Sequence, residues 1–437
     1  MESEVIQIDI LGGVDVGRNS SAFAEIRDRE NIRRFIMVDC GAGIPEKGEG
    51  SIPIPLRPRS NPDLCVITHA HTDHILMAPR YFTDYNCDFM MTGPTYFTSE
   101  YIFGDHLRHS LAPIFSIEEM HQFIMSDKTK IFYSEDWIEV FPGAKIKFKR
   151  NGHIRGSAMV FLKTDRHKVA FSGDVSSFDT PTISGVDVDG LDFNPDILFL
   201  ESTNGSIRLP ERESEIERMT DIAKKFRLAL IPSFGVGKSP DLALDLARQN
   251  FPVHLDGKGK KVLLAYTGEE FYWCDGDRGI ERSALKKIKF VKGRKDRELL
   301  VHDPFPKAVV TTGGMMNGLA LDYIKHWGTR DDAVIFKTGY AAEDTPGYGL
   351  MKSVESGMPF EISDGVSVKI EAHVEEINIS GHNDGPQNVA LAKAFNPKKI
   401  FVGHGEVSSR KALTKMLIEN GLCAEALEKD GQVIIPD

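Results

Sequence analysis

The sequence lacks any run of about 18 uninterrupted apolar residues, so no membrane-spanning helix is expected. It also lacks an excess of basic charge. The 53 Lys and Arg stand against 64 Asp and Glu, a net of −11, which excludes a protein that coats polyanions indiscriminately while leaving room for a local basic groove. Cysteine is scarce: Cys40, Cys65, Cys87, Cys274 and Cys423 are odd in number and show no CxxC spacing. That pattern argues against a disulfide framework and a thiolate zinc site, and for buried free thiols in a reducing compartment. Residues 1–10 carry acids where a secretory signal would carry Lys or Arg ahead of an apolar stretch, so a cytoplasmic location is expected. No internal repeat of fixed period is visible.

What is present is ordinary for a globular chain: 437 residues, 41% hydrophobic and 27% charged, enough for two or three domains. The first half reads as short strands between Gly, Asn and Asp turns, with few helices. Strands are expected at residues 5–11, 34–39, 64–68, 145–150, 158–164, 167–172 and 197–201. From residue 211 the style changes to a helix at 211–225, a strand at 227–231 and a helix at 240–248. Strand–helix alternation continues through 261–266, 308–312 and 333–337, the pattern of a parallel α/β unit. Strands return at 366–370, 377–380 and 400–403 before a last helix near 410–420. The spacing predicts an α/β insertion inside a strand-rich domain that resumes afterwards.

The chemistry concentrates after the apolar run Leu64-Cys65-Val66-Ile67, where Thr68-His69-Ala70-His71-Thr72-Asp73-His74 places three imidazoles and a carboxylate in six residues. Imidazole nitrogens and carboxylate oxygens suit Zn²⁺, Mn²⁺ or Fe²⁺. One such loop cannot close two metal shells, and further ligand-type residues follow other apolar strands: His153 in Asn151-Gly152-His153, Asp174 in Ser172-Gly173-Asp174, and His404 in Gly403-His404-Gly405. Asp39 ends the run Phe35-Ile36-Met37-Val38 in the same manner.

Together and in this order, these motifs resemble the metallo-β-lactamase superfamily. The resemblance implies that His69, His71, His153 and Asp174 hold one metal, and that Asp73, His74, His404 and the shared Asp174 hold the other. Asp39 would orient the histidine-rich loop without being a ligand. The implied cofactors are two Zn²⁺, with Mn²⁺ as an alternative, and a hydroxide held between the ions would attack phosphorus to leave a 5′-phosphate and a 3′-hydroxyl.

Downstream segments narrow the resemblance to the β-CASP ribonucleases. They are Glu201-Ser202-Thr203-Asn204-Gly205, residues 229–238 (ALIPSFGVGK), residues 253–257 (VHLDG), Thr312-Gly313-Gly314-Met315, Thr338-Gly339-Tyr340, and Ser380-Gly381-His382-Asn383-Asp384. The implied fold is a metallo-β-lactamase αββα sandwich, residues 1–202 and 367–437, with an inserted parallel α/β β-CASP domain, residues 203–366. The implied catalytic residues are Asp73, His382 and Glu201. Histidine beside the scissile phosphate would protonate the leaving oxygen or bind a non-bridging one, kept protonated by the nearby carboxylate. Ser380, Gly313, Gly314 and Lys238 are candidates for phosphate or RNA contact. Lys238 replaces the usual Arg and loses its bidentate fork. In bacterial RNase J enzymes a serine takes the Val236 position and a histidine that of Asn378, so the sequence looks closer to the 3′-end pre-mRNA endonuclease branch.

Single-stranded RNA is the expected partner, no membrane partner is expected, and a homodimer stays open. Alternatives are a DNA-processing nuclease of the same fold, a non-catalytic RNA-binding scaffold and a small-molecule hydrolase. A basic run, Lys286, Lys287, Lys289, Lys292, Arg294, Lys295 and Arg297, reads either as a solvated face or as a handle on an RNA backbone.

Overall fold

Alternating burial along short strands dictates a two-layer sandwich. The computed structural model describes all residues except 44–50, 190, 275, 314–317, 340–344, 364 and 437. One seven-stranded sheet runs in the order Val433–Ile434, Glu4–Gly12, Ser21–Arg27, Arg33–Val38, Leu64–Val66, Asp88–Thr92, Thr129–Phe132. A second runs Ala424–Ala426, Lys399–Gly403, Ile197–Glu201, Lys168–Phe171, Ala158–Lys163, Ala144–Arg150, Ile138–Phe141. Inward residues of the first (Ile8, Ile10, Ile36, Val66) meet those of the second (Ile146, Phe148, Val160, Val169) in one shared core.

Helices cover both outer faces. Phe89 and Met91 pack under Phe103 and Phe123 of helices Gly93–His109 and Ile117–Met125. Phe161 and Leu198 pack under Phe395, Leu413 and Leu417 of helices Gly385–Phe395 and Val407–Glu419. This is the expected αββα arrangement.

A third, six-stranded sheet is parallel throughout: Ile288–Phe290, Val253–Asp256, Lys307–Thr312, Leu228–Ser233, Ala333–Lys337, His373–Glu376. Helices bury both of its faces, Leu242 and Leu246 on one side, Tyr323 and Trp327 on the other, as parallel sheets require. Its edge strand His373–Glu376 carries the insertion's sheet past residue 366. Among the described residues no helix is long and apolar enough to cross a membrane.

Several elements differ from the sequence expectation. The first half is richer in helix than expected, with Thr72–Ile75, Ala78–Tyr85, Gly93–His109 and Ile117–Met125 in succession. Residues 261–266 lie in and just after a helix, Lys258–Ala265, not a strand. Gly257, at φ +81, ends the strand Val253–Asp256 and opens that helix, and a short apolar stretch alone does not distinguish the two states. Residues 377–380 are not a strand either; Ile377 and Ile379 are core residues just beyond the ladder of His373–Glu376. Residues 366–370 shorten to Val366–Val368, paired with Phe360–Ser363 in a separate hairpin.

Helix Lys238–Arg248 ties the insertion to the sandwich through a buried polar contact, the Thr182 hydroxyl donating to Asp241 at 2.8 Å, while Arg212 pairs with Asp245 within the insertion. Burial, only partly offset by Arg212, lifts the Asp241 carboxyl to about 6. The folded chain therefore keeps this proton to higher pH than the unfolded chain does, and stability falls as pH rises from about 4 to 6. Asp241→Asn removes a slope of up to about 1.4 kcal/mol per pH unit in that window. Melting temperatures of both proteins across the window check this; equal slopes contradict it.

Candidate metal centre

Four strand ends of the sandwich deliver the candidate ligands to one place. His69 follows Leu64–Val66; His71 sits at the N-cap of Thr72–Ile75, whose first turn presents Asp73 and His74. His153 follows Ala144–Arg150, Asp174 follows Lys168–Phe171, and His404 follows Lys399–Gly403 with φ +49. Gly152, at φ +79, precedes His153. A Cβ there would lie 2.2 Å from the Ser176 carbonyl oxygen, so only glycine lets this turn seat itself.

Hydrogen bonds behind the ligands fix which ring nitrogen faces forward. Asp39, at φ +61 after the strand Arg33–Val38, accepts from the Thr68 backbone N–H at 2.7 Å, the Thr68 hydroxyl at 2.8 Å and His74 Nδ1 at 2.8 Å. The Thr68 hydroxyl, its proton committed to Asp39, accepts from His69 Nδ1 at 3.1 Å. His153 Nδ1 donates to the Gly381 carbonyl at 2.7 Å. This network assigns the Nε2 lone pairs of His69, His74 and His153 to the same space.

His71 Nδ1 stands 3.1 Å from His69 Nε2 and 3.0 Å from His153 Nε2, and Asp174 Oδ2 lies 3.4 Å and 3.5 Å from those two nitrogens. These separations bracket the edge of a tetrahedron about 3.3 Å long that Zn–N bonds of about 2.0–2.1 Å generate. In the neighbouring group, Asp73 Oδ2 lies 3.3 Å from His404 Nε2 and 3.8 Å from His74 Nε2. Asp174 turns its other oxygen, Oδ1, to that side, 3.4 Å from His74 Nε2 and 3.3 Å from His404 Nδ1.

Two of these atoms, His74 Nε2 and Asp174 Oδ1, are buried with no hydrogen-bond partner among the described residues, an arrangement costly unless a cation completes it. Electrostatics agree with that reading. Burial, with His74 adding to it, drops His69 to about 3; burial likewise drops His71 to about 4 and His153 well below its ordinary value. Neutral imidazole is the form that binds a metal. Burial pushes Asp73 and Asp174 upward, but the surrounding histidines outweigh it and hold both carboxyls well below the usual range. At His74 burial is outweighed by Asp174, Asp73 and Asp39, which raise it well above the ordinary value, so a positive charge is favoured there.

Beside the two groups, His382 Nδ1 donates to buried Glu201 Oε1 at 2.9 Å, and its ring centroid lies 4.6 Å from that of His153 and 6.3 Å from that of His404. Glu201 is itself held by the backbone N–H groups of Val175 and Thr203. Burial works against protonation of His382, but Glu201 outweighs it and raises the imidazole above its ordinary value.

Family models match at two places: a Beta-Casp domain over residues 242–350, and a Zn-dependent metallo-hydrolase RNA specificity domain over residues 367–431. The chain is 25% identical to RNase aCSPSF2 of Saccharolobus solfataricus, over 93% of this chain and 80% of that protein. It is 27% identical to an RNase J-like protein of Methanocaldococcus jannaschii, over 85% of this chain and 87% of the relative. With cleavage and polyadenylation specificity factor subunit 3-II of Arabidopsis thaliana it shares 25% identity over 80% of this chain and 59% of the relative. A solved protein of unknown function from Enterococcus faecalis shares the fold at a TM-score of 0.60 and 12% identity, covering 99% of this chain and 100% of that one.

The chain carries a Beta-Casp domain and the RNA specificity domain of Zn-dependent metallo-hydrolases, and with its relatives these support a β-CASP metallo-β-lactamase ribonuclease. It stands closer to the branch of the cleavage and polyadenylation factors than to RNase J.

Within this β-CASP enzyme the remaining candidates fall as follows. The Ser380 hydroxyl accepts from the His382 backbone N–H and from Asn204 Nδ2, both at 3.0 Å, and so shapes the turn that carries His382. Lys238 is half-buried, donates to the Thr338 carbonyl at 2.7 Å and is brought down to about 8 by desolvation, with Arg212 adding to it. Gly313 has φ +121; Gly314 lies outside the described residues.

Two functional residues escaped the sequence reading. Thr68 is the relay between Asp39 and His69. Arg155, fully buried two residues after His153, gives its guanidinium to the carbonyls of Thr182, Tyr266 and Arg278 between the rings of Tyr266 and Tyr272. It clamps the His153 turn to the insertion. No spacing marks it, because a buried arginine and a surface one look alike in sequence.

Removing the carboxylate that aims His74 and, through Thr68, His69 weakens the centre without touching a ligand. Asp39→Ala is expected to lower zinc affinity about 10- to 100-fold. Competition with a chromophoric chelator measures this; wild-type affinity in a folded variant contradicts it.

Proposed function

We propose that the chain hydrolyses phosphodiester linkages of single-stranded RNA at a centre of two divalent cations, zinc with manganese as the alternative, leaving a 5′-phosphate and a 3′-hydroxyl. The observation that carries this reading is the division of Asp174, one oxygen toward His69, His71 and His153, the other toward Asp73, His74 and His404. His69, His71, His153 and Asp174 would hold one ion; Asp73, His74, His404 and Asp174 the other. A bound pair of cations supplies Lewis-acid stabilisation of a phosphoryl group and an activated nucleophile.

The chain's own residues do the rest. Asp73, held ionised, keeps the second group anionic beside the reacting phosphorus. His382, with Nδ1 committed to Glu201, presents Nε2 as the proton donor to the leaving oxygen or as the clamp on a non-bridging one. Lys238, Gly313 and Ser380 are the candidate contacts to flanking phosphates. The substrate cleft is taken to run between the sandwich and the insertion, expected at residues 203–366 and extended by its edge strand His373–Glu376.

RNA rather than DNA is favoured by the matched RNA specificity domain and by the relatives named as RNases. A non-catalytic scaffold is disfavoured because all seven candidate ligands are present and converge.

His382→Ala is expected to lower kcat about 10²- to 10⁴-fold with zinc content unchanged, and Glu201→Gln to lower it less. Stripping the metal with a chelator should abolish cleavage, and Zn²⁺ or Mn²⁺ should restore it. Wild-type protein loaded with either metal that leaves several labelled RNAs intact would falsify the reading.

A further inference from the structure

The outer edge of the inserted sheet carries a feature that the metal centre does not use. His254 and Lys289 are register partners on the adjacent parallel strands Val253–Asp256 and Ile288–Phe290, so their side chains share one sheet face. Helix Arg294–His302 crosses that face and leaves a cavity of about 380 Å³ between His254, Lys289, Phe290 and Leu299. His254 Nδ1 is buried there with no hydrogen-bond partner among the described residues. Burial, with Lys289 and Lys307 adding to it, brings His254 down to about 4, so its ring is neutral and offers one donor and one acceptor. Leu299, 74% exposed, stands apolar at the rim.

The charges around the cavity are unequal in their commitments. Its two acids are engaged locally. Asp296 accepts from the Lys292 backbone N–H at 3.0 Å, and Asp303 accepts from the Phe305 N–H at 3.1 Å and pairs with Lys307 at 3.1 Å. Of the basic run, Lys287 is bound to Asn250, Arg294 to Glu298 and Arg297 to Asp256. Lys286, Lys289, Lys292 and Lys295 are exposed and make no ion pair among the described residues. Lys289 thus lines a pocket whose apolar groups are Phe290, Val291, Leu299 and Leu300, and Lys286, Lys292 and Lys295 flank that lining along the sequence, in a chain whose net charge is −11.

We propose that this edge is a second, non-catalytic site for single-stranded RNA, seating one base against His254 and Leu299 and the flanking phosphates on Lys286, Lys289, Lys292 and Lys295. A lone phosphate would leave the apolar wall unused, and an acidic protein segment would leave the imidazole floor unmatched. The inference rests on the ribonuclease reading for its substrate class. The edge strand lies three strand spacings, about 15 Å, from Leu228–Ser233, whose following loop leads to Lys238. Only a strand that extends well beyond the scissile linkage reaches both places, so the edge raises affinity for long RNA and leaves short RNA unaffected.

The test compares wild type with the fourfold Lys→Gln variant at 286, 289, 292 and 295, and separately with Leu299→Ala. The substrates are RNAs of about 5 and about 30 nucleotides, the shorter within a single binding site. For the fourfold variant, KM for the long RNA is expected to rise about tenfold with kcat unchanged, and the salt slope of its binding to fall by about 3, or 0.7 per lysine. Leu299→Ala should raise KM for the long RNA without changing the salt slope. Neither variant should alter kinetics on the short RNA.

Unchanged KM and slope for the long RNA, or equal losses on both lengths, would overturn the proposal. So would displacement of the long RNA from the edge by a nucleoside monophosphate, or by an acidic peptide, as effectively as by RNA. Fluorescence anisotropy of labelled RNA reads the edge site by itself. A wild type that binds long RNA through these lysines yet cleaves none sinks the hydrolase reading and leaves the edge site standing.

Discussion

One carboxylate constrains the architecture of the centre. Asp174 is buried among His69, His74, His153 and His404 and sends one oxygen toward each of two donor groups. A carboxylate so deeply removed from water is tolerated only where positive charge meets it. The histidines provide part of that compensation, and the unpartnered His74 Nε2 and Asp174 Oδ1 show where more is called for. The shared core of the two sheets, the left-handed turn at Asp39 and the glycines beside His153, Asp174 and His404 bring strand ends to that point.

The insertion is not a passive appendage to this centre. Arg155 grips its carbonyls from the turn that holds His153, and Gly381, which orients the His153 ring, lies on the chain's return from the third sheet. The groups proposed to face substrate follow the same logic: His382 arrives on that return, while Lys238 and Gly313 follow strands of the insertion. The candidate metal-binding and substrate-binding residues are thereby fixed by one set of domain contacts.

The candidate ligands were legible in sequence because His153, Asp174 and His404 each follow an apolar strand and a glycine, and because three histidines and an aspartate in six positions have few structural uses. The Glu201 and His382 pair, 181 residues apart, was visible only through resemblance to a family pattern; the structure places the two at 2.9 Å. Helix Gly93–His109 was missed because Gly93, Pro94 and Gly104 interrupt a segment with apolar residues around much of its surface, which blurs the 3.6-residue period. Helix Lys258–Ala265 was misread because its apolar residues are too few to set any period. Arg155 and the His254 pocket were beyond sequence reading for a different cause: each is made by contacts between distant segments.

Counting metal in two variants bears most directly on the shared carboxylate. Under dialysis that leaves the wild type with two zinc ions per chain, His71→Ala should retain one and Asp174→Ala should retain none. An Asp174→Ala protein that still holds two ions would contradict the account.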